Sequence, residues 1–329
     1  MADLLREISL QSTKIGLSII ICTSFIGNIL NITILSQYKM RKHACSLYFI
    51  ALSINNLLYS TTILVISLLG DGYQIIISSR SSISCKLITY FGTLLSALSP
   101  SFIVLASIDR WCASSLSVQQ RNFSNIRTAK WLIFLITIFF SLLFIISLVM
   151  TDLNTQDTFG CRIRGNAIFV QTYSIFQFIL FSCLAPFLML LFGCMTIYNI
   201  QRQHMVVSAL STSRRTEAQL IRMLLVQVGI QILLILPLCV VGLLLSFPNI
   251  YQPTASFYSI FYICRVIFHI SYATPFFLYV LSARTFRKGL IELIFKLLSA
   301  NHHNRIHTMR RTGVPTDMQI NTYLNETHL

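Results

Sequence analysis

Charge is what this sequence has least of. Only 11% of its 329 residues are Asp, Glu, Lys or Arg, just 10 of them are acidic, and 55% of the chain is hydrophobic. A soluble domain usually carries about 25% charged residues. The scarcity of charge therefore excludes an ordinary soluble protein and indicates a chain that lies largely in lipid.

Enzyme motifs are missing as well. The sequence contains no HExxH motif, no paired carboxylates and no nucleophile constellation, so we predict no catalytic residue, no metal and no cofactor. A secondary transporter is a less favoured interpretation. The prolines of the chain show no repeat pattern, and only Arg265 and His269 are ionisable deep within the apolar runs.

What the chain does have is seven apolar runs, each long enough to cross a bilayer as a helix. They are Ile15–Gln37, Ser46–Leu69, Lys86–Arg110, Ala129–Met150, Thr172–Tyr198, Gln219–Ser246 and Phe257–Leu281. We predict an all-α membrane protein with a short N-terminal segment, 1–14, and a seven-transmembrane-helix bundle over 15–281. Within 282–298, Arg284–Leu298 alternates basic and apolar positions, which predicts a short amphipathic eighth helix on the membrane surface. The polar tail 299–329 is predicted to be disordered.

Lys and Arg in the loops predict the orientation. With the N-terminus outside, eighteen of them lie on the cytoplasmic side and six outside, and Arg265 lies within a span. We therefore expect a multi-pass plasma-membrane protein with its C-terminus in the cytoplasm. The net charge of +15 then favours attraction to anionic lipid of the bilayer, and we expect no nucleic-acid partner.

Two of the nine cysteines stand apart from the others. This topology places only Cys85 and Cys161 outside the cell, where the environment is oxidising. A disulfide between them is the natural inference, and two free thiols in loops are the alternative.

An ordered series of short motifs runs through the apolar spans. "GNILN" contains Asn28, "LSINNLL" contains Asn56, and "DRW" contains Asp109 and Arg110. Prolines lie in the last three spans, and "SARTFRKGL" follows the seventh. The prolines are Pro186, Pro237 and Pro275. In this order the motifs resemble those of rhodopsin-like (class A) G-protein-coupled receptors.

That resemblance implies roles for several residues. Arg110 is expected to pair with Asp109 and with Glu217, twenty residues before Pro237, and to meet a heterotrimeric G protein when freed. Family members hold Na⁺ on an Asp where this chain has Asn56. The chain also has Ile235 for the usual Trp, Thr274 for the Asn of the seventh-helix motif, and Tyr279 one place late.

Polar residues inside the spans are expected to face the bundle interior. Asn28, Asn56, Ser99, Ser271 and Thr274 are predicted to form a buried hydrogen-bonded network, with sodium affinity weak or absent. A second group of candidates lies on one side of the seventh span at steps of four, three and four residues and is predicted to face a ligand cavity. These are Tyr258, Tyr262, Arg265 and His269. For Arg265 the alternative is snorkelling to the interface, and for His269 it is a core position.

The ligand is predicted by exclusion and by resemblance. Amine receptors of the family carry an Asp where this chain has Gly92, and opsins carry a Lys that Phe261–Leu281 lacks. The motif pattern most resembles invertebrate neuropeptide receptors, which implies an extracellular peptide; lipid and chemosensory ligands stay open. The last residues resemble a PDZ ligand, with Thr327 two places before the terminal Leu329.

Overall fold

Seven long helices make up most of the computed structural model. It describes residues 2–41, 43–153, 161–206, 212–245, 247, 254–284 and 286–296, and within 203–223 it describes the backbone only. The helices are α1 (Ala2–Leu35), α2 (Ala44–Gly72), α3 (Ser82–Ala113), α4 (Ile126–Met150), α5 (Ala167–Phe178, Ile179–Leu184 and Ala185–Val206), α6 (Thr212–Leu245) and α7 (Ala255–Ile270 and Thr274–Ser282). Short helices are also present at Tyr38–Arg41, Ile77–Ser79 and Val118–Phe123.

The helices have the length and composition of membrane spans. Six of them are long and apolar enough to cross a bilayer, and the two pieces of α7, bent by 45°, make the seventh. The predicted all-α seven-helix architecture is therefore confirmed. α1 begins at Ala2, so it includes residues that the sequence assigned to the N-terminal segment 1–14.

Capping residues fix where four of the helices begin. In each case a side-chain oxygen accepts a hydrogen bond from a backbone N–H of the first turn, which otherwise has no partner. The caps are Ser81 for α3, Asn125 for α4, Asn166 for α5 and Thr254 for α7.

Proline shapes the helices because it lacks a backbone N–H. Pro275 is at the start of the second piece of α7, directly after the bend. Pro237 and Pro100 lie inside α6 and α3. Pro186 follows a wider π-helical turn of α5, Ile179–Leu184.

The bundle has apolar residues both in its interior and on its outer side. Its interior contains an apolar cluster joining α1, α2 and α7, with Leu17, Tyr59, Leu64 and Tyr272 among its buried members. The outward side of α4 exposes large apolar residues such as Trp131, Phe134 and Leu142. Exposed apolar side chains of this kind suit contact with lipid.

A small hairpin lies between α4 and α5. Strands β1 (Thr151–Leu153) and β2 (Cys161–Ile163) pair antiparallel, with Leu153 opposite Cys161. The chain forms two compact units, and the first ends at Phe286. In the second unit, residues 287–296 are helical. This helix lies within the predicted surface segment 282–298.

Candidate functional site

The predicted disulfide is present. Cys85 and Cys161 are bonded, with their Cα atoms 5.5 Å apart, and the bond joins the first turn of α3 to β2. We call this end of the bundle the disulfide end. The inference from topology is confirmed, and the two-thiol alternative is excluded.

A cavity of about 970 Å³ opens at the disulfide end. Residues of α2, α3, α5, α6 and α7 line it, together with the segment after α2 and Cys161 itself. Gly92 of α3, at the position where amine receptors of the resembled family carry an Asp, is among the residues that line the cavity. The cavity is therefore built by the same helices that run to the opposite end of the bundle.

The predicted α7 stripe divides between this cavity and the core. Tyr258, Tyr262 and Arg265 line the cavity. His269 is only 2% exposed, and its Nδ1 lies 3.4 Å from the Tyr59 hydroxyl. The structure thus places His269 in the core, the alternative that the sequence left open for it.

Arg265 has a partner that the sequence analysis did not assign. Its Nη1 lies 2.7 Å from Asp71 Oδ2, and its Nη2 donates to Ser67 Oγ at 3.0 Å. Asp71 and Ser67 also line the cavity. Arg265 therefore does not snorkel alone to the interface; it forms an ion pair within the cavity wall.

Two tyrosines join α2 to α7 beneath the cavity. Tyr59 lines the cavity, and its ring stacks on Tyr272 with centroids 3.8 Å apart and planes 6° from parallel. The Tyr272 hydroxyl donates to Ser96 Oγ on α3 at 3.3 Å. Three helices therefore meet at this aromatic pair.

A buried polar network continues from Tyr272. Its backbone carbonyl accepts hydrogen bonds from Asn28 Nδ2 and Ser24 Oγ, both at 3.0 Å. Ser24 in turn bonds Ser60 at 2.6 Å, and Ser60 Oγ donates to the Asn56 carbonyl at 2.6 Å. These bonds join α1, α2 and α7.

The same network reaches α3 through Asn56. Ser99 Oγ donates to Asn56 Oδ1 at 2.7 Å, and Asn55 Nδ2 donates to Ser99 Oγ at 2.8 Å. Three of the five predicted members, Asn28, Asn56 and Ser99, are thus in one hydrogen-bonded chain. The other two contact each other: Thr274 Oγ1 donates to the Ser271 carbonyl at 3.0 Å.

Four network members lie outside the five that were predicted. Ser24, Asn55, Ser60 and Tyr272 all take part, the last through its carbonyl. Ser24 precedes Asn28 by one helical turn, so helical spacing could have identified it. The Tyr272 carbonyl at the α7 bend accepts these bonds as a backbone group, so no residue type in the sequence could have predicted them.

The opposite end of α3 carries the charged motif. Arg110 Nη2 lies 2.6 Å from Asp109 Oδ2, and both side chains are only 4% exposed. Ser124 Oγ donates to the second carboxylate oxygen at 2.8 Å. Glu217 belongs to α6 by its backbone, and its side chain lies outside what is described. The predicted pairing of Arg110 with Glu217 therefore stays a prediction.

Among the described residues, no group of three or more His, Cys, Asp and Glu side chains could hold a metal ion. Thr327 and Leu329, the predicted PDZ ligand, lie outside the described residues, as does the tail 299–329.

The chain matches the sequence model of the 7 transmembrane receptor (rhodopsin family) over residues 27–279. A comparison with curated proteins finds no match.

Proposed function

The chain belongs to the rhodopsin family of seven-transmembrane receptors, and we propose that it relays an extracellular peptide signal to a heterotrimeric G protein. As a member of this family it is a multi-pass plasma-membrane receptor. One observation carries the proposal: α3 begins at the cavity and ends at the buried Asp109–Arg110 pair. A helix of 32 residues spans roughly 48 Å, so a single element connects a ligand site with a coupling site.

The cavity supports a peptide as the ligand. Small-molecule pockets measure about 300–1,000 Å³, so a cavity of about 970 Å³ is large enough for several side chains. Tyr258, Tyr262 and Arg265 combine aromatic surface with hydrogen-bond donors, which suits peptide groups. An amine ligand would find Gly92 where it needs a counter-ion.

The distribution of Lys and Arg supports the direction of the signal, since the predicted topology puts eighteen of them on the cytoplasmic side and six outside. In our proposal the disulfide end faces outward with the N-terminal segment 1–14, and the Arg110 end faces the cytoplasm. The segment 282–298 then lies on anionic lipid of the inner leaflet, and the tail 299–329 presents Thr327 and Leu329 to a PDZ protein. Arg110 meets the G protein after it leaves Asp109 and Glu217.

A lipid or chemosensory ligand is the second candidate. The apolar part of the cavity lining favours it, because five helices contribute apolar side chains to it: Ile63, Ile88, Phe181, Ile235, Leu238 and Phe268. Such a ligand would leave the Arg265 end of the cavity to water.

A nucleotide-exchange assay tests the proposal. Membranes carrying the receptor are screened with a peptide library and with lipid and odorant pools, and binding of GTPγS to G proteins is measured. A peptide pool that stimulates exchange, and fails to do so on Arg110→Ala at matched surface expression, supports the proposal. Stimulation by lipid pools alone contradicts its peptide part, and exchange that Arg110→Ala leaves intact contradicts the coupling role.

A further inference from the structure

The cavity holds two formally charged side chains, and they neutralise each other. Asp71 on α2 and Arg265 on α7 form the 2.7 Å ion pair, with 19% and 32% of their side chains exposed. No other described residue that lines the cavity carries a formal charge at neutral pH. The described wall of the cavity therefore has no net charge, although it presents a carboxylate and a guanidinium to an incoming ligand.

This pairing disfavours charged ligand groups. A ligand carboxylate that approaches Arg265 is repelled by Asp71, and a ligand ammonium that approaches Asp71 is repelled by Arg265. Either ion binds fully only by separating the pair, which leaves one half-buried charge without its partner. The free energy lost when one partner of a buried pair is left alone exceeds the free energy that the pair contributes when it forms.

An uncharged carboxamide fits the pair without separating it. A guanidinium has five N–H donors, and a carboxylate accepts up to about four hydrogen bonds. Arg265 contacts Asp71 through Nη1 and Ser67 through Nη2. A ligand amide can therefore accept from a further guanidinium N–H through its carbonyl and donate to the carboxylate through its own N–H.

The surroundings of the pair favour the same kind of ligand group. Tyr262 and Tyr258 line the cavity on the side of Arg265, about one and two helical turns before it on α7. Gln74 adopts a positive φ of 61°, which is uncommon outside glycine, and its Nε2 donates to the Asp71 carbonyl at 3.2 Å. This contact holds the segment after α2 folded beside the carboxylate.

We propose that the Asp71–Arg265 pair binds a carboxamide of the ligand and discriminates against the corresponding carboxylic acid. The inference rests on the proposed function in taking a peptide as the ligand. The carboxamide comes from one of two sources, a C-terminal amide or the side chain of Asn or Gln. Arg265 then acts as one half of a neutral dipolar site and not as a free cation for a carboxylate.

The test uses the peptides that stimulate exchange in the assay above. Each is resynthesised with one carboxamide at a time converted to the acid: the C-terminal amide to the free carboxylate, Gln to Glu, or Asn to Asp. One conversion is expected to raise the half-maximal concentration on the parent receptor at least tenfold. The position at which this happens identifies the source of the carboxamide.

Variants of the receptor separate this site from a general charge effect. On Asp71→Asn the guanidinium has lost its partner, so the same acid peptide should regain at least tenfold in potency relative to its amide form. Asp152→Asn, which removes an exposed carboxylate outside the cavity lining, should leave the parent preference unchanged. If Asp71→Asn does not reach the surface, the double variant Asp71→Asn with Arg265→Gln replaces it, and its preference should fall to within about threefold.

Two different results would overturn the inference. If peptides stimulate exchange but every acid form is as potent as its amide, or Asp71→Asn keeps the parent preference, the carboxamide site is wrong and the peptide receptor stands. If no peptide pool stimulates the parent, the peptide part of the proposed function fails and takes this inference with it.

Discussion

Asn56 changes what the centre of this bundle can bind. Its side chain is buried and accepts the hydroxyl of Ser99 at 2.7 Å through an amide oxygen without charge. Relatives that hold Na⁺ at this position do so with an Asp carboxylate, the ligand type that hard cations prefer. The neighbouring hydroxyls are already in use. Ser24 and Ser60 bond each other, Ser60 donates to the Asn56 backbone carbonyl, and Ser99 donates to the Asn56 side chain.

A single substitution tests this reading of Asn56. Basal nucleotide exchange by the parent should be the same when NaCl is replaced by choline chloride, because no carboxylate lies in the network to attract the ion. Asn56→Asp should make exchange fall in Na⁺ relative to choline. Asn166→Asp is the control, since it adds the same carboxylate at an exposed helix cap outside the network, and it should show no sodium effect. A sodium effect on the parent would contradict the prediction.

The disulfide is a second position at which one residue governs the site. Cys85 is fully buried at the start of α3, and its bond to Cys161 keeps β2 against the cavity that Cys161 lines. Loss of a structural disulfide typically costs about 2–5 kcal/mol. Cys85→Ser and Cys161→Ser should each lose most surface labelling at matched total expression. Cys22→Ser, at an exposed free cysteine of α1, should not, and labelling of all three like the parent would argue against a structural bond.

Helical spacing brought three of the four α7 candidates to the cavity, but it gave no prediction for the end of α2. Tyr258, Tyr262 and Arg265 share one side of a regular α-helix, so their common cavity follows from steps of three and four. α2 instead contains two π-helical turns, Ser60–Leu64 and Leu68–Gly72. Each wide turn accommodates an extra residue and rotates the following side chains by about 100°. The sequence could therefore not show that Ser67 and Asp71 face Arg265.

The Arg110 end of α3 and the start of α6 provide a prediction at the level of elements. Arg110 and Asp109 are paired and buried within α3, and we expect Glu217 of α6 to add a second carboxylate in the resting state. Exposed pairs contribute about 0–1 kcal/mol and breaking buried ones costs about 3–5. We expect an intermediate value, about 1–2 kcal/mol, which corresponds to roughly a 5- to 30-fold change in the resting-to-active ratio.

Removing a charge from either helix tests the expected pairing of Arg110 with Glu217. Glu217→Gln should raise ligand-free nucleotide exchange, and Arg110→Ala should abolish coupling while ligand binding is kept. Glu292→Gln, a carboxylate in the second unit, is the control for a general loss of negative charge. Basal exchange is compared at matched surface expression. A flat response to Glu217→Gln would mean that α6 does not hold Arg110, and full coupling by Arg110→Ala would remove its assigned role.

Across the whole molecule, contacts among α1, α2, α3 and α7 join the cavity to the Asp109–Arg110 pair without passing through α6. Ile235 lines the cavity at the position of the family's Trp. The Tyr59–Tyr272 stack lies close by, and from the Tyr272 carbonyl hydrogen bonds run through Ser24, Ser60 and Asn56 to Ser99. Ser99 and Arg110 lie eleven residues apart on α3, roughly 16 Å along the helix. We therefore expect this receptor to detect its ligand through α2 and α7.

Substitutions at the Tyr59–Tyr272 stack and at Ile235 distinguish the two routes. An aromatic pair contributes about 0.5–1.5 kcal/mol beyond the area it buries. Since the stack holds α7 against α2 in the structure with Arg110 paired, Tyr59→Leu should raise basal exchange roughly 2- to 13-fold. Tyr272→Phe keeps the stack but removes the bond to Ser96, so it should have a smaller effect. Ile235→Leu conserves volume and should change exchange little. If Ile235→Leu shifts basal exchange and Tyr59→Leu does not, the signal passes through α6 despite the missing Trp.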